Sequence, residues 1–112
     1  MRIPVLSRRM ALEAPQPQSD GAGGSRIVWN EIGHLWCEMR PASGRERADN
    51  ALPVSRVPYR IITRAAPVGA ESRPVAGQRL RTGGRIFAIT AVAEFDPDGR
   101  YLTCSATEEV AT

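Results

Sequence analysis

The chain has 112 residues and a net charge of +3, length enough for one small domain with a modest core. All fifteen basic residues are Arg and none is Lys. They are scattered, with no block of like charge, which argues against a dedicated nucleic-acid tail and fits a solvated surface or a pore wall that tolerates DNA. A GC-rich genome would account for the Arg bias; recognition of phosphate or carboxylate by the planar guanidinium fork is the functional alternative. No run of about 18 apolar residues is present, so no membrane-spanning helix is expected, and the start, Met1 to Arg9, is too short and too charged for a signal peptide.

Residues Met10–Ala14 have strand character. The next run, Pro15 to Ser25, is rich in Pro, Gly and small polar residues, and reads as a long flexible loop over 15–25. With residues 1–8 as a flexible arm, the whole chain 1–112 is expected to form a single domain.

Residues 26–40 read as extended chain interrupted at Gly33. After that glycine, Leu35, Cys37 and Met39 share one face, and Trp36, Glu38 and Arg40 the other. Trp29 and the Leu35/Cys37/Met39 face are expected to anchor the core. Cys37 and Cys104 both lie in apolar strand-like runs, where a thiol acts as a small hydrophobe. A disulfide would need an oxidising compartment that nothing in the sequence implies.

Ser43 followed by Glu46 is a capping box: the Ser hydroxyl takes a backbone N–H inside the helix, and the Glu reaches back to the Ser N–H. Pro53 stops the run, so one short α-helix is expected near residues 44–51. Strand character returns over 54–64. Val57, Tyr59, Ile61 and Thr63 form one face, and Arg56, Arg60 and Arg64 the other, completed by Pro58 and Ile62, with Pro58 marking an edge or bulge.

Residues 65–78 read as irregular, and a strand starts near Arg79. Gly83-Gly84 suits a two-residue hairpin turn. Residues 85–93 are the clearest strand, apolar on both faces. Asp96-Pro97-Asp98-Gly99 is a hairpin turn and 100–106 the last strand. Six or so strands with one short helix make a mainly β fold, a small barrel or sandwich.

Catalytic chemistry finds no support. His34 has no metal-ligand partners at suitable spacing. No nucleophile elbow surrounds any Ser. Asp96 and Asp98 are explained by their turn, and the Gly21–Gly24 run lacks the Lys of a phosphate loop. No cofactor, metal or catalytic residue is expected, and the chain reads as a non-enzyme.

The order Trp29, Trp36-Cys37-Glu38-Met39-Arg40-Pro41, Ser43-Gly44-Arg45-Glu46 resembles the phage head–tail joining family of adaptor, head-completion and stopper proteins. Tyr59 to Arg64, Gly84 to Val92 and Arg100 to Cys104 match its later strands, so the likeness spans about residues 8–108. Cys37 stands where a small Ala is usual, and Pro58 interrupts the Arg strand. Trp29, Trp36, Ser43 and Glu46 mark this fold.

The resemblance implies a stopper: a homo-oligomeric ring, expected to be a hexamer. It would sit between a portal-bound adaptor ring and the tail terminator or tail tube, and help retain packaged double-stranded DNA. Such a protein would assemble in the bacterial cytoplasm and end in the neck of a virion, prophage particle or gene transfer agent, without contact to membrane. Arg45, Arg47, Arg56, Arg60 and Arg64 are the candidates to face the channel or a neighbouring subunit. The alternatives are a neighbouring connector ring, adaptor or terminator, and a small barrel that binds single-stranded nucleic acid.

Overall fold

The structure, a computed structural model, describes residues 2–42 and 56–109. Six strands are present: β1 (Arg8–Ser19), β2 (Ser25–Pro41), β3 (Arg56–Arg64), β4 (Arg79–Thr82), β5 (Arg85–Glu94) and β6 (Tyr101–Glu109). They close into an antiparallel barrel in the order β1-β2-β3-β6-β5-β4. The mainly β barrel read from the sequence is therefore the fold. The expected helix near 44–51, with its cap residues Ser43 and Glu46, lies outside the described residues.

The predicted alternation places the core. Cys37 is fully buried, with Leu35 and Met39 packed beside it against Met10, Leu12 and Ile61. Opposite them, Phe87, Leu80, Ile89 and Cys104 fill the barrel from β4, β5 and β6. Both thiols are free and fully buried, and burial pushes each up to about 12. A thiolate is the reactive species. The native protein should therefore leave both cysteines unlabelled by a maleimide at neutral pH, and labelling should track unfolding in denaturant.

Turn chemistry sets the register where it was read. Gly83, at φ +58°, turns β4 into β5. The Asp96 carboxylate accepts the Tyr101 N–H at 2.9 Å, and Gly99 adopts φ +66° as its N–H reaches the Asp96 carbonyl. Pro58 lies where β3 has β6 on one side only; β2 begins to pair at Tyr59. Its carbonyl accepts the Ala42 N–H on the β2 side, so the missing donor costs β6 nothing.

Two expectations are corrected. The stretch 15–25 is not one loop: β1 runs on to Ser19 and β2 starts at Ser25, so only residues 20–24 turn. Asp20 organises that turn, its carboxylate accepting the N–H groups of Ala22 and Gly24 at 2.8 and 3.1 Å. The interruption at Gly33 is a β-bulge. Leu12 faces Gly33 while Glu13 faces Glu31, so Ile32 is the extra residue. Its side chain packs on the core. Bulges bend and twist the strand that carries them. Here the bulge stands where the barrel ends and the β1–β2 ribbon projects beyond it.

The second correction concerns Trp29. It sits on the projecting ribbon, half-buried, outside the core cluster. Its ring packs against the Arg79 guanidinium instead.

Candidate interface surfaces

Three surfaces stand out, and each is built by bringing distant residues together. The first is the root of the ribbon. Glu13, 5% exposed, accepts Arg79 Nε at 2.6 Å and Arg81 Nε at 2.8 Å. Arg79 also lies 4.2 Å from the Trp29 ring centroid. A desolvated carboxylate held by two guanidinium groups, one of them stacked, is a strong charge-assisted clamp. It ties β1, β2 and β4 at the point where the ribbon leaves the barrel.

The second surface is the outer face of β2 and β3. Glu38 accepts the Val5 N–H at 2.6 Å and Arg2 at 2.8 Å, and it also pairs with Arg40. These bonds lay the N-terminal segment across the outer face. Ile62, opposite Glu38 in register, is only 1% exposed there, and Pro4 is buried. Ile62 thus stands on the arginine side of β3, as the alternation requires, and is buried there. Trp36, on the same side of β2, stays 55% exposed.

The third is cationic and aromatic. Arg60 and Arg64 are exposed on one side of β3, as the alternation requires. Arg64 stands 5.5 Å from the Tyr101 ring centroid and Arg40 5.3 Å from that of Phe95. The two rings meet edge to face at 6.5 Å. Arg40 lies opposite Arg60 in the β2–β3 ladder. Sequence reasoning found Arg60 and Arg64 but missed Arg40 and Phe95, because the barrel order alone brings β2, β3 and the β5–β6 turn together. The other candidates, Arg45 and Arg47, fall outside the described residues. Arg56 is placed by its backbone at the start of β3, opposite Glu109.

Among the described residues no group of His, Cys, Asp and Glu side chains converges as a metal site. The buried Thr63 hydroxyl donates to the Trp36 carbonyl at 2.9 Å. Arg85 forks onto Glu108 at 2.7 and 3.0 Å, and its guanidinium covers Phe87 at one end of the core.

Residues 1–109 match the family of phage head completion proteins. The chain belongs to that family. A chain from the virion of a native gene transfer agent particle is 48% identical to this head completion protein. The match covers 98% of this chain and 100% of that one, with a TM-score of 0.80. A protein from Shigella flexneri 2a, solved in solution, shares the fold at a TM-score of 0.68 and 21% identity, over 96% of each chain. Among curated proteins none matches.

Proposed function

We propose that this protein is a structural subunit of the head–tail connector of a phage-like particle, acting as the stopper ring between the portal-bound adaptor and the tail. The observation that carries this reading is the match to the head completion family over residues 1–109, joined to 48% identity with a gene transfer agent virion chain. The role is one of contact rather than catalysis. Subunits would be made in the bacterial cytoplasm and assemble as a ring, with six copies as the expected number, and the finished ring would stay in the particle.

The surfaces divide naturally. The clamped ribbon projects from the barrel and offers strand edges to a neighbour. The Arg40/Arg60/Arg64 face suits either a channel wall or an acidic neighbour. Guanidinium groups there would meet DNA phosphates as a diffuse field, which permits passage. Arg45, Arg47 and Arg56 are proposed for the same channel or subunit contacts.

The single-stranded nucleic-acid reading is weaker. Base stacking needs a row of open aromatic faces, whereas Arg64 and Arg40 each lie over a ring of the Phe95/Tyr101 pair, leaving Trp36 as the open ring beside them. The deciding experiment removes this gene and images the particles. Filled heads that leak DNA and carry no tails are expected. Sealed and tailed particles would end the proposal. An adaptor role would show instead as a ring in direct contact with the portal.

A further inference from the structure

The β1–β2 ribbon has two edges, and its prolines make them unequal. The Asp20 N–H donates to the Gly24 carbonyl at 3.2 Å. Bonded and non-bonded pairs alternate along an antiparallel ladder. In that phase Gln18/Arg26 and Gln16/Val28 exchange hydrogen bonds, while Pro17/Ile27 and Pro15/Trp29 turn their backbone groups outward. Pro15 and Pro17 have no N–H, so the outer edge of β1 offers carbonyls without donors there, and a docking strand is refused. The outer edge of β2 keeps both N–H and C=O at Ile27 and Trp29. β3 does not reach it, since β3 pairs only with Cys37–Pro41.

A second open run lies on β5. The Phe95 N–H donates to the Tyr101 carbonyl at 2.9 Å. By the same alternation Val92 and Glu94 turn their backbone groups away from β6. β4 pairs with β5 only as far as Ala88, and Ile89 is met by Gly77 and Gln78. Among the described residues nothing pairs with Val92 or Glu94 on that side.

We infer that the Ile27–Trp29 edge of one copy adds as a strand to the Val92–Glu94 edge of the next copy. The partner is a second copy of this chain, so the inference rests on the ring reading above. The two edges match in spacing, each presenting outward N–H and C=O groups on alternate residues. Their neighbours also fit. Ile27 is 56% exposed and Trp29 half-buried, whereas Ala91 and Ala93 on β5 are small and exposed. Arg26 and Glu94, both exposed, bring opposite charges. Because the two edges are different surfaces, the contact is head-to-tail, the type that closes rings. The proline-blocked β1 edge keeps the ribbon from recruiting a further strand.

Ile27→Pro tests this, because it removes an outward N–H and leaves the bonds between β1 and β2 in place. Particles made with this variant should carry the ring at about a tenth of wild-type occupancy or less, since one bond is lost at every interface. The purified variant should still melt cooperatively. Normal ring occupancy in Ile27→Pro particles would overturn the inference and leave the connector role intact. Wild-type particles without a ring of this chain would overturn both.

A second variant keeps the test decisive should the proline disturb the ribbon. With both native thiols buried, Ile27→Cys combined with Ala93→Cys should give, on oxidation of assembled particles, a ladder of covalent multimers of this chain, because a parallel strand that sets Ile27 between the outward groups of Val92 and Glu94 puts its side chain beside Ala93. Either single variant should give none beyond a dimer. Absence of the ladder, or cross-linking to a different protein, would overturn the inference.

Discussion

Phe87→Ala should be the most damaging single truncation in the barrel, lowering stability by about 3–4 kcal/mol, with a fall in melting temperature of about 15 °C or more. Phe87 is fully buried and stands opposite Leu80 on β4 and Glu108 on β6. Its ring meets Tyr59 edge to face at 5.5 Å, and the Arg85 guanidinium lies 5.1 Å from its centroid. Truncation therefore removes apolar transfer energy, leaves a cavity between β3, β4 and β5, and takes away the surface that holds the Arg85–Glu108 fork. In a closed barrel the strands cannot collapse into that space without breaking ladder bonds. Denaturant unfolding would measure the loss. Ile27→Ala, on the exposed ribbon, should cost less than about 0.5 kcal/mol in the same assay. A Phe87→Ala variant within about 1 kcal/mol of wild type would contradict this account of the core.

Glu13→Gln should cost about 2 kcal/mol and loosen the ribbon more than the barrel. The figure is that of a hydrogen bond to a charged group, discounted because Arg81 is partly open to solvent. The substitution leaves Arg79 and Arg81 side by side without their shared counter-charge. Hydrogen exchange should then quicken at the root of the ribbon, around Glu13 and Glu31, with the core amides little changed. The pH dependence has a definite sign. Burial is the largest single influence on Glu13 and raises its pKa, but the hydrogen bonds and charges of Arg81 and Arg79 together outweigh it, and the net shift is down from 4.5. A depressed carboxylate adds stability that is complete above its unfolded value and is lost as pH falls through the folded one. Glu38, held by Val5, Arg40 and Arg2 against its desolvation, and Glu108, held first by Arg85, shift the same way from 4.5. Wild-type protein should thus lose stability as pH drops below about 4.5, and Glu13→Gln should show a shallower fall over that range. An equal slope in the two proteins would mean that the clamp is not formed in solution.

Wherever a local rule carried the information, the sequence by itself determined the structure. The two-residue period in Leu35/Cys37/Met39 set which face of β2 is inside. Gly83-Gly84 and Asp96-Pro97-Asp98-Gly99 set two hairpins, because positive φ and side-chain capping are properties of a few adjacent residues. The order of these strands along the chain was also enough to suggest the head completion family, which the match over residues 1–109 shows.

Other features were decided only by the tertiary structure. Pro15 and Pro17 look like strand breakers to any local rule, since a missing N–H is a lost ladder bond. They are tolerated because pairing with β2 puts both on the outward phase, where no bond is made. What reads as a loop is therefore a strand with one edge closed to partners. Trp29 looked like a core residue by its type, but the bulge at Ile32 and the Arg79/Glu13/Arg81 clamp hold it outside the barrel. The alternation of β3 showed Arg60 and Arg64, but their meeting with Arg40, Phe95 and Tyr101 has no sequence signature, because β2, β3, β6 and the turn after β5 become neighbours only in the order of the barrel. Strand pairing between distant segments is a property of the closed barrel, and no short stretch of the chain encodes it alone.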